Sequence, residues 1–325
     1  MAEPDNRRLH LAPADHLQRL LQRVPELQEI ADITLVAPWN LDSSDIGPAH
    51  WQQLATLIAG HLTDATGPRC DGVVLIHGTD TLAFCASALA YMLPGLDRPV
   101  VLTGSQRPLL AWRTDARANL AAAVECATLD LPEVVVVFGD RVLRGCRATK
   151  VDANDYQAFD TPNAPALGHI GVAVDIAHSR VRRPSEPLQL AAELGEGLLA
   201  LTVFPGLAPQ TLDAMFALAP GRVKVLLVRA FGMGNLPLAG DANLVPAVAR
   251  LVQGGIDVVV TTQCQRGRAQ LDLYANGRAL RDAGAIGAGD MTFEAAATKA
   301  MWALGHPQRP LRAWFATDLA GEVTL

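Results

Sequence analysis

Four short stretches gather hydroxyls, carboxylates and one lysine in patterns suited to a small polar substrate. They are Asp42-Ser43-Ser44-Asp45, Gly78-Thr79-Asp80-Thr81, Gly104-Ser105-Gln106-Arg107-Pro108 and Thr149-Lys150. Two hydroxyls flanked by acids can hold an amino-acid zwitterion, hydroxyls on its carboxylate and an acid on its ammonium. The same residues serve equally as the first turn of a helix. Thr79 and Asp80 follow an apolar run and precede a helical pattern, so backbone N–H groups there can face a carboxylate or oxyanion. The plainer alternative is that Thr79 caps the helix. Lys150 is one of three lysines, with Lys224 and Lys299, among 27 basic residues. Lysine can release its proton and arginine cannot. Beside Asp80, Lys150 can therefore hold a hydroxyl in a relay; a lone loop lysine is otherwise a solvated charge. Ser105 lies outside the Gly-x-Ser-x-Gly elbow of serine hydrolases, and its segment reads as a polar turn.

Several other chemistries are excluded. The chain has no Gly-x-x-x-x-Gly-Lys-Ser/Thr loop, and Gly284, Gly287 and Gly289 miss the dinucleotide spacing. Its eight histidines and five cysteines show no zinc spacing. Hydrolysis with no cofactor and no metal is the expectation. A net charge of −6 with scattered positive residues argues against a nucleic-acid partner. No uncharged apolar run reaches the roughly 18–20 residues of a membrane helix. The opening MAEPDNRRLHLAP lacks a basic-then-apolar leader, which points to a cytoplasmic protein. Cys70, Cys85, Cys126, Cys146 and Cys264 are odd in number and widely spaced, as reduced thiols would be.

The elements that must position these groups follow from apolar periodicity. With 325 residues, half of them apolar and 18% charged, the chain can fill about two domains and is not disordered. Runs at Ile33–Ala37, Gly72–His77, Val100–Thr103, Val134–Phe138, Leu198–Phe204, Val223–Val228 and Ile256–Thr261 are apolar on both faces, as in covered parallel strands. Between them, Pro48–Leu62 places Trp51, Leu54, Ala55, Ile58 and Leu62 on one helical face. Leu82–Leu93 and Thr114–Leu129 are Ala-rich helical patterns. The alternation predicts an α/β protein of two domains: a larger N-terminal doubly wound parallel sheet over residues 1–176, and a smaller C-terminal parallel sheet over 198–325. The polar, proline-marked stretch 177–197 is the expected linker. A helix around Pro13–Val24 precedes any strand, whereas doubly wound sheets usually open with one.

Taken together, these segments resemble the bacterial L-asparaginase family, nearest its cytoplasmic type I branch. The resemblance rests on Asp42–Ser44, Val74-Leu-Ile-His-Gly-Thr-Asp-Thr81, Leu102-Thr-Gly-Ser-Gln-Arg-Pro108 and Thr114-Asp-Ala-Arg-Ala-Asn-Leu120. Thr149-Lys150, Phe159-Asp-Thr-Pro-Asn163, Gly232-Met-Gly-Asn235, Thr262-Gln263-Cys264 and Gly289-Asp-Met-Thr292 extend it from about Pro13 to Leu325. It implies two α/β domains and hydrolysis of L-asparagine, with L-glutamine as a second substrate, to the acid and ammonia. It also implies two catalytic threonines, no cofactor, and homodimers often paired into homotetramers. Carried over by position, Thr79 is the second threonine, with Asp80 and Lys150 completing its relay. Ser43 and Asp80 would grip the substrate's α-carboxylate and α-ammonium, Asp42 would lie nearby, and Asn235 would approach a neighbouring subunit's site.

Two departures stand out. The family's first signature, Thr-Gly-Gly-Thr-Ile-Gly after an opening strand, carries the nucleophile and is absent from these residues. The chain reads as beginning just past it, which accounts for the missing first strand. The mobile loop that follows carries a catalytic tyrosine in the family, whereas the matching stretch here is Arg8-Leu9-His10-Leu11. His10 is a substitute proton carrier or a solvated loop histidine. The expectation is an asparaginase whose sequence starts late. The alternatives are an inactive amino-acid-binding homologue, supported by the loss of the nucleophile, and an amidotransferase subunit.

Overall fold

The computed structural model describes residues 22–63, 69–217 and 221–324. Most of the expected helix at Pro13–Val24, and the His10 segment, lie outside these. Helices α1 (Leu27–Ile30) and α2 (Pro48–Leu62) lead into β1 (Val73–Ile76), α3 (Leu82–Met92), β2 (Val100–Thr103), α4 (Ala116–Ala127) and β3 (Val134–Phe138). Strands β1, β2 and β3 are parallel neighbours, as the alternation requires. Beyond β3 the sheet turns antiparallel through β4 (Arg141–Arg144), β7 (Gly168–Ile170) and β8 (Val174–Ile176), so the larger sheet is mixed rather than parallel throughout. The β3–β4 and β7–β8 turns are too short for a crossover helix, which suits antiparallel pairing, and the longer β4–β7 connection carries a ladder of its own. A two-stranded ladder of β5 (Thr149–Lys150) and β6 (Phe159–Asp160) stands apart from the sheet.

Every residue of β2 and β3 is buried, with Val100, Leu102, Val134 and Val136 facing one core and Val101, Val135 and Val137 the other. That is the reason for their unbroken apolar sequence. Helix α2 buries Trp51, Leu54, Ala55, Ile58 and Leu62, the face its periodicity marks. Two expectations shift. Ile33–Ala37 forms no strand, because none of the described residues pairs with it. Among the described residues strand β1 pairs with β2 alone, and its last residue, Ile76, is 51% exposed.

The second unit is a four-stranded parallel sheet in the order β12-β11-β10-β9, comprising β9 (Leu198–Thr202), β10 (Val225–Ala230), β11 (Asp257–Thr262) and β12 (Ile286–Gly287). Helices α5 (Pro209–Ala217), α6 (Val245–Gln253), α7 (Ala275–Asp282), α8 (Phe293–Gly305) and α9 (Leu311–Phe315) complete it. Leu226, Val228, Val258 and Val260 face one core; Val225, Leu227 and Val259 face the core shared with the first unit. No helix among the described residues is long and apolar enough to cross a membrane.

The two units meet where α3 lies on α8. Both helices present alanines (Ala86 and Ala88 against Ala295, Ala296 and Ala300), and small side chains let the helix axes approach closely. The Tyr91 hydroxyl donates to the Ala295 carbonyl at 3.2 Å. Residues 177–197 are strapped along this junction: the N–H groups of Gln189, Ala191 and Gly195 donate to the carbonyls of Pro94, Met92 and Met301. A second clamp joins residues 145–147 to residues 317–324. Arg147 Nε donates to the Gly321 carbonyl at 2.6 Å, and its guanidinium pairs with Asp290 at 3.1 Å. The fully buried Lys299 and Glu322 pair beside it, and Lys299 Nζ also donates to the Thr317 carbonyl at 2.6 Å.

Candidate active site

The site is built on the loops that leave the carboxyl ends of β1 and β2. Gly78 is required there because a Cβ on it would fall 2.7 Å from Ser43 Oγ. Gly104 is required because a Cβ would fall 2.2 Å from the His77 carbonyl oxygen. The loops at 42–45, 77–81 and 103–107 therefore pack closely through the two glycines, with Ser43 seated directly on Gly78. The His77 N–H donates to the Thr103 carbonyl at 2.8 Å, and its ring Nδ1 donates to the Gly78 carbonyl at 2.7 Å. Burial pushes the His77 imidazole below its ordinary pKa, so it braces the loop as a neutral ring.

Lys150 reaches this point from the β5–β6 ladder, where it pairs with Phe159. Phe159 is buried against Phe138, ring centroids 4.9 Å apart, which anchors the ladder. From that base Lys150 Nζ donates to Thr79 Oγ1 at 2.8 Å and to Asp80 Oδ1 at 2.7 Å. Thr79, Asp80 and Lys150 are thus brought together from segments 70 residues apart. The Lys150 side chain is 20% exposed and that of Asp80 68% exposed, so the group faces outward to solvent or substrate. Thr79 does not cap α3. That helix begins at Leu82, and Thr81 at the cap position donates its hydroxyl to the Ser43 carbonyl at 2.5 Å. The Thr79 hydroxyl is instead engaged by the lysine and lies 3.4 Å from Gln106 Oε1.

Ser43 is buried beneath Gly78, next to the relay. Asp42 caps the short turn Ser43–Asp45, accepting from Ser44 N at 2.8 Å and Ser44 Oγ at 2.6 Å. Those Ser44 bonds hold its carboxyl below the usual carboxylate range. Asn235 lies on the second unit, in a turn closed by reciprocal backbone bonds with Phe231, and makes no hydrogen bond to the relay of its own chain.

Three contributors escape a reading by residue type and spacing. Gln106 sits in the stretch read as a plain polar turn, yet it bridges Thr79 and the Asp155 carbonyl, to which Nε2 donates at 3.1 Å. Asp115 pins that turn by accepting from the N–H groups of Gln106 and Arg107 at 2.9 and 3.0 Å. Glu294, on the first turn of α8, accepts from the Thr149 hydroxyl at 2.7 Å and so ties the second unit to the residue beside Lys150. Burial pushes the Glu294 carboxyl up. Asp115 stands inside the Thr114–Leu120 segment that carries the family resemblance, which was the available signal for it. Glu294 gave none beyond its place just after Gly289-Asp-Met-Thr292.

A hydroxyl held by a lysine that is itself paired with a carboxylate, at the strand ends of a two-unit α/β fold, defines a class of site suited to acid–base work on a small polar molecule. Comparison with known proteins narrows the class. Residues 1–182 match the family model "Asparaginase, N-terminal" and residues 199–315 the "Glutaminase/Asparaginase C-terminal domain". L-asparaginase 1 of Escherichia coli K12 is 36% identical, over 97% of this chain and 92% of that protein. A glutamyl-tRNA(Gln) amidotransferase component from Pyrococcus abyssi is 33% identical, over 96% of this chain and 72% of that protein. The solved structure of the thermostable L-asparaginase from Thermococcus kodakarensis superposes with a TM-score of 0.85 at 34% identity, covering 94% of this chain and 91% of that one. The chain belongs to the asparaginase family of amidohydrolases.

Proposed function

We propose that the protein hydrolyses the side-chain amide of L-asparagine, water replacing the amide nitrogen to give L-aspartate and ammonia. One observation carries the reading: Lys150 Nζ spans Thr79 Oγ1 and Asp80 Oδ1 at 2.8 and 2.7 Å. In the charged form Lys150 donates to the Thr79 oxygen and Asp80 balances the charge. When Lys150 gives up a proton, its lone pair can take the Thr79 hydroxyl proton and leave a nucleophilic oxygen. Ser43, with its hydroxyl against the Thr79 loop, suits the substrate's α-carboxylate, and Asp80 suits its α-ammonium. Asp42 supports this pocket by fixing the Ser43 turn. Asn235 is assigned to the site of a neighbouring copy in a homo-oligomer, dimer or tetramer. A cytoplasmic setting belongs to the same reading, as in the type I branch that the motifs resemble.

The reading includes one further strand. Among the described residues β1 pairs with β2 alone, and its Ile76 is exposed. This supports a strand bearing Thr-Gly-Gly-Thr seated beside β1, with the nucleophile beside Thr79. Ammonia release from L-asparagine by two purified forms tests it: the 325-residue chain, and one extended by a strand carrying that motif. Activity in the extended form alone is expected. Activity in neither would leave an amino-acid-binding homologue, and equal activity in both would make Thr79 itself the nucleophile.

A further inference from the structure

Beside the relay, the loops 104–115 and 152–157 face each other across a cavity of about 630 Å3, within the size range of small-molecule sites. Its walls include Gln106, Arg107, Arg113, Asn154, Asp155 and Tyr156. Both loops are held rigid. Asp115 fixes the first through the N–H groups of Gln106 and Arg107. Asp152 fixes the second by accepting from the N–H groups of Asn154 and Asp155 at 2.7 and 2.9 Å. The Tyr156 hydroxyl donates across the gap to the Arg113 carbonyl. Arg113 has a φ of 55°, the one left-handed non-glycine among the described residues. Such a conformation persists where its surroundings over-determine it, often at ligand sites.

Elsewhere this chain habitually joins arginine to carboxylate: Arg98 with Asp71, Arg117 with Glu26, Arg144 with Glu133, Arg250 with Asp213. The guanidinium groups of Arg107 and Arg113 make no such pair among the described residues, and both line the cavity. The third charge on the wall is Asp155, whose carboxylate accepts the Gln157 N–H and has no arginine or lysine partner among the described residues. Two guanidinium forks and one carboxylate are the complement of a ligand with two carboxylates and one ammonium.

We propose that this cavity is a second binding site, taking an α-amino dicarboxylate whose carboxylates meet Arg107 and Arg113 and whose ammonium meets Asp155. Gln106 forms the wall shared with the relay, since it touches the Asp155 carbonyl on one side and Thr79 on the other. The site's use rests on the hydrolase reading, which turns an amino monocarboxylate amide into an amino dicarboxylate. Two arginines distinguish that product from the substrate, so the cavity senses product. The binding itself does not depend on that reading.

Calorimetric titration of L-aspartate into the Asp80→Asn chain tests the site, because that variant cripples the relay pocket. One L-aspartate per chain is expected, bound at least tenfold more tightly than L-asparagine. Arg107→Gln or Arg113→Gln in the same background should weaken it tenfold or more, about 1.4 kcal/mol for the loss of a charge-assisted pair. Both arginines are exposed, so an unchanged melting temperature will certify the variants. Succinate, lacking the ammonium, should bind more weakly and regain affinity in Asp155→Asn. No binding, equal affinity for L-asparagine, or indifference to both arginine variants overturns the proposal. Binding without ammonia release by any form would remove the product-sensing role and leave the site. Ammonia release without binding would remove the site alone.

Discussion

The three lysines of this chain are not equivalent, and Lys299 offers the sharpest stability test. Its ammonium and the Glu322 carboxylate pair with both side chains fully buried. Burial pulls the Lys299 pKa down while Glu322 pushes back. Lys299→Met fills similar volume and leaves Glu322 as an uncompensated buried carboxylate, a change that costs about 3–5 kcal/mol. Glu322 also accepts the N–H groups of Leu319 and Ala320, the latter at 2.7 Å. These remain, so the cost should fall at the lower end, about 3 kcal/mol. At roughly 2–4 °C per kcal/mol for a domain of this size, the melting midpoint should drop by about 6–12 °C. Differential scanning calorimetry of parent and variant measures it. The double variant Lys299→Met/Glu322→Gln should recover part of the loss, because the surviving partner is then neutral. A single-variant midpoint within about 2 °C of the parent would refute the reasoning. So would a double variant no better than the single, which would place the cost in packing rather than in charge.

Lys150→Met should behave in the opposite way: Asp80 is largely exposed, so the pair adds only about 0–1 kcal/mol of stability. In the form that releases ammonia, the same change should cut the rate by roughly 10²–10⁴-fold, the range for a proton-transfer group. A loss under tenfold would remove Lys150 from the relay. Glu294→Gln keeps an acceptor for Thr149 and removes a carboxyl whose pKa burial raises above its ordinary 4.5. The folded parent then holds its proton more tightly than the unfolded chain, so parent stability should decline relative to the variant as pH rises from about 4.5 towards neutrality. Urea midpoints across that range check the sign, and a constant difference would defeat it. Burial lifts the thiols of Cys85 and Cys146 far above the ordinary range and that of Cys126 up to about 12. A chromogenic disulfide should therefore modify exposed Cys264 quickly and these three only after denaturation; fast loss of all the thiols would contradict the packing.

Much of the scaffold is legible in the sequence because burial on two faces leaves a one-dimensional trace. Val100–Thr103 and Val134–Phe138 are strands at the limits their apolar runs mark, and Pro48–Leu62 buries the face its spacing indicates. Ile33–Ala37 carries the same signal and is no strand, since a strand is a property of a pair and none of the described residues pairs with it. The antiparallel half of the larger sheet was hidden because β4 (Arg-Val-Leu-Arg), β7 (Gly-His-Ile) and β8 (Val-Asp-Ile) are short and carry no unbroken apolar run. In the site, Thr79, Asp80 and Lys150 were readable by residue type and rarity. Gln106 and Glu294 were not, because what makes them matter is contact across 27 and 145 residues of chain. No local pattern encodes such a distance.

The clamp on Arg147 has a consequence in time. Its partner Gly321 lies 174 residues downstream, and Cys146 reaches equally far to the Ala320 carbonyl. At about 5–20 residues per second of synthesis, roughly 10–35 s separate the two halves of this contact as the chain emerges. The first sheet and the Phe138–Phe159 contact under the Lys150 ladder can form in that interval, but Thr149 gains Glu294, and residues 145–147 their clamp, only when the second unit arrives. Relay geometry is thus among the last things the nascent chain acquires, and a ribosome-bound fragment with its first sheet already folded holds an unfinished site.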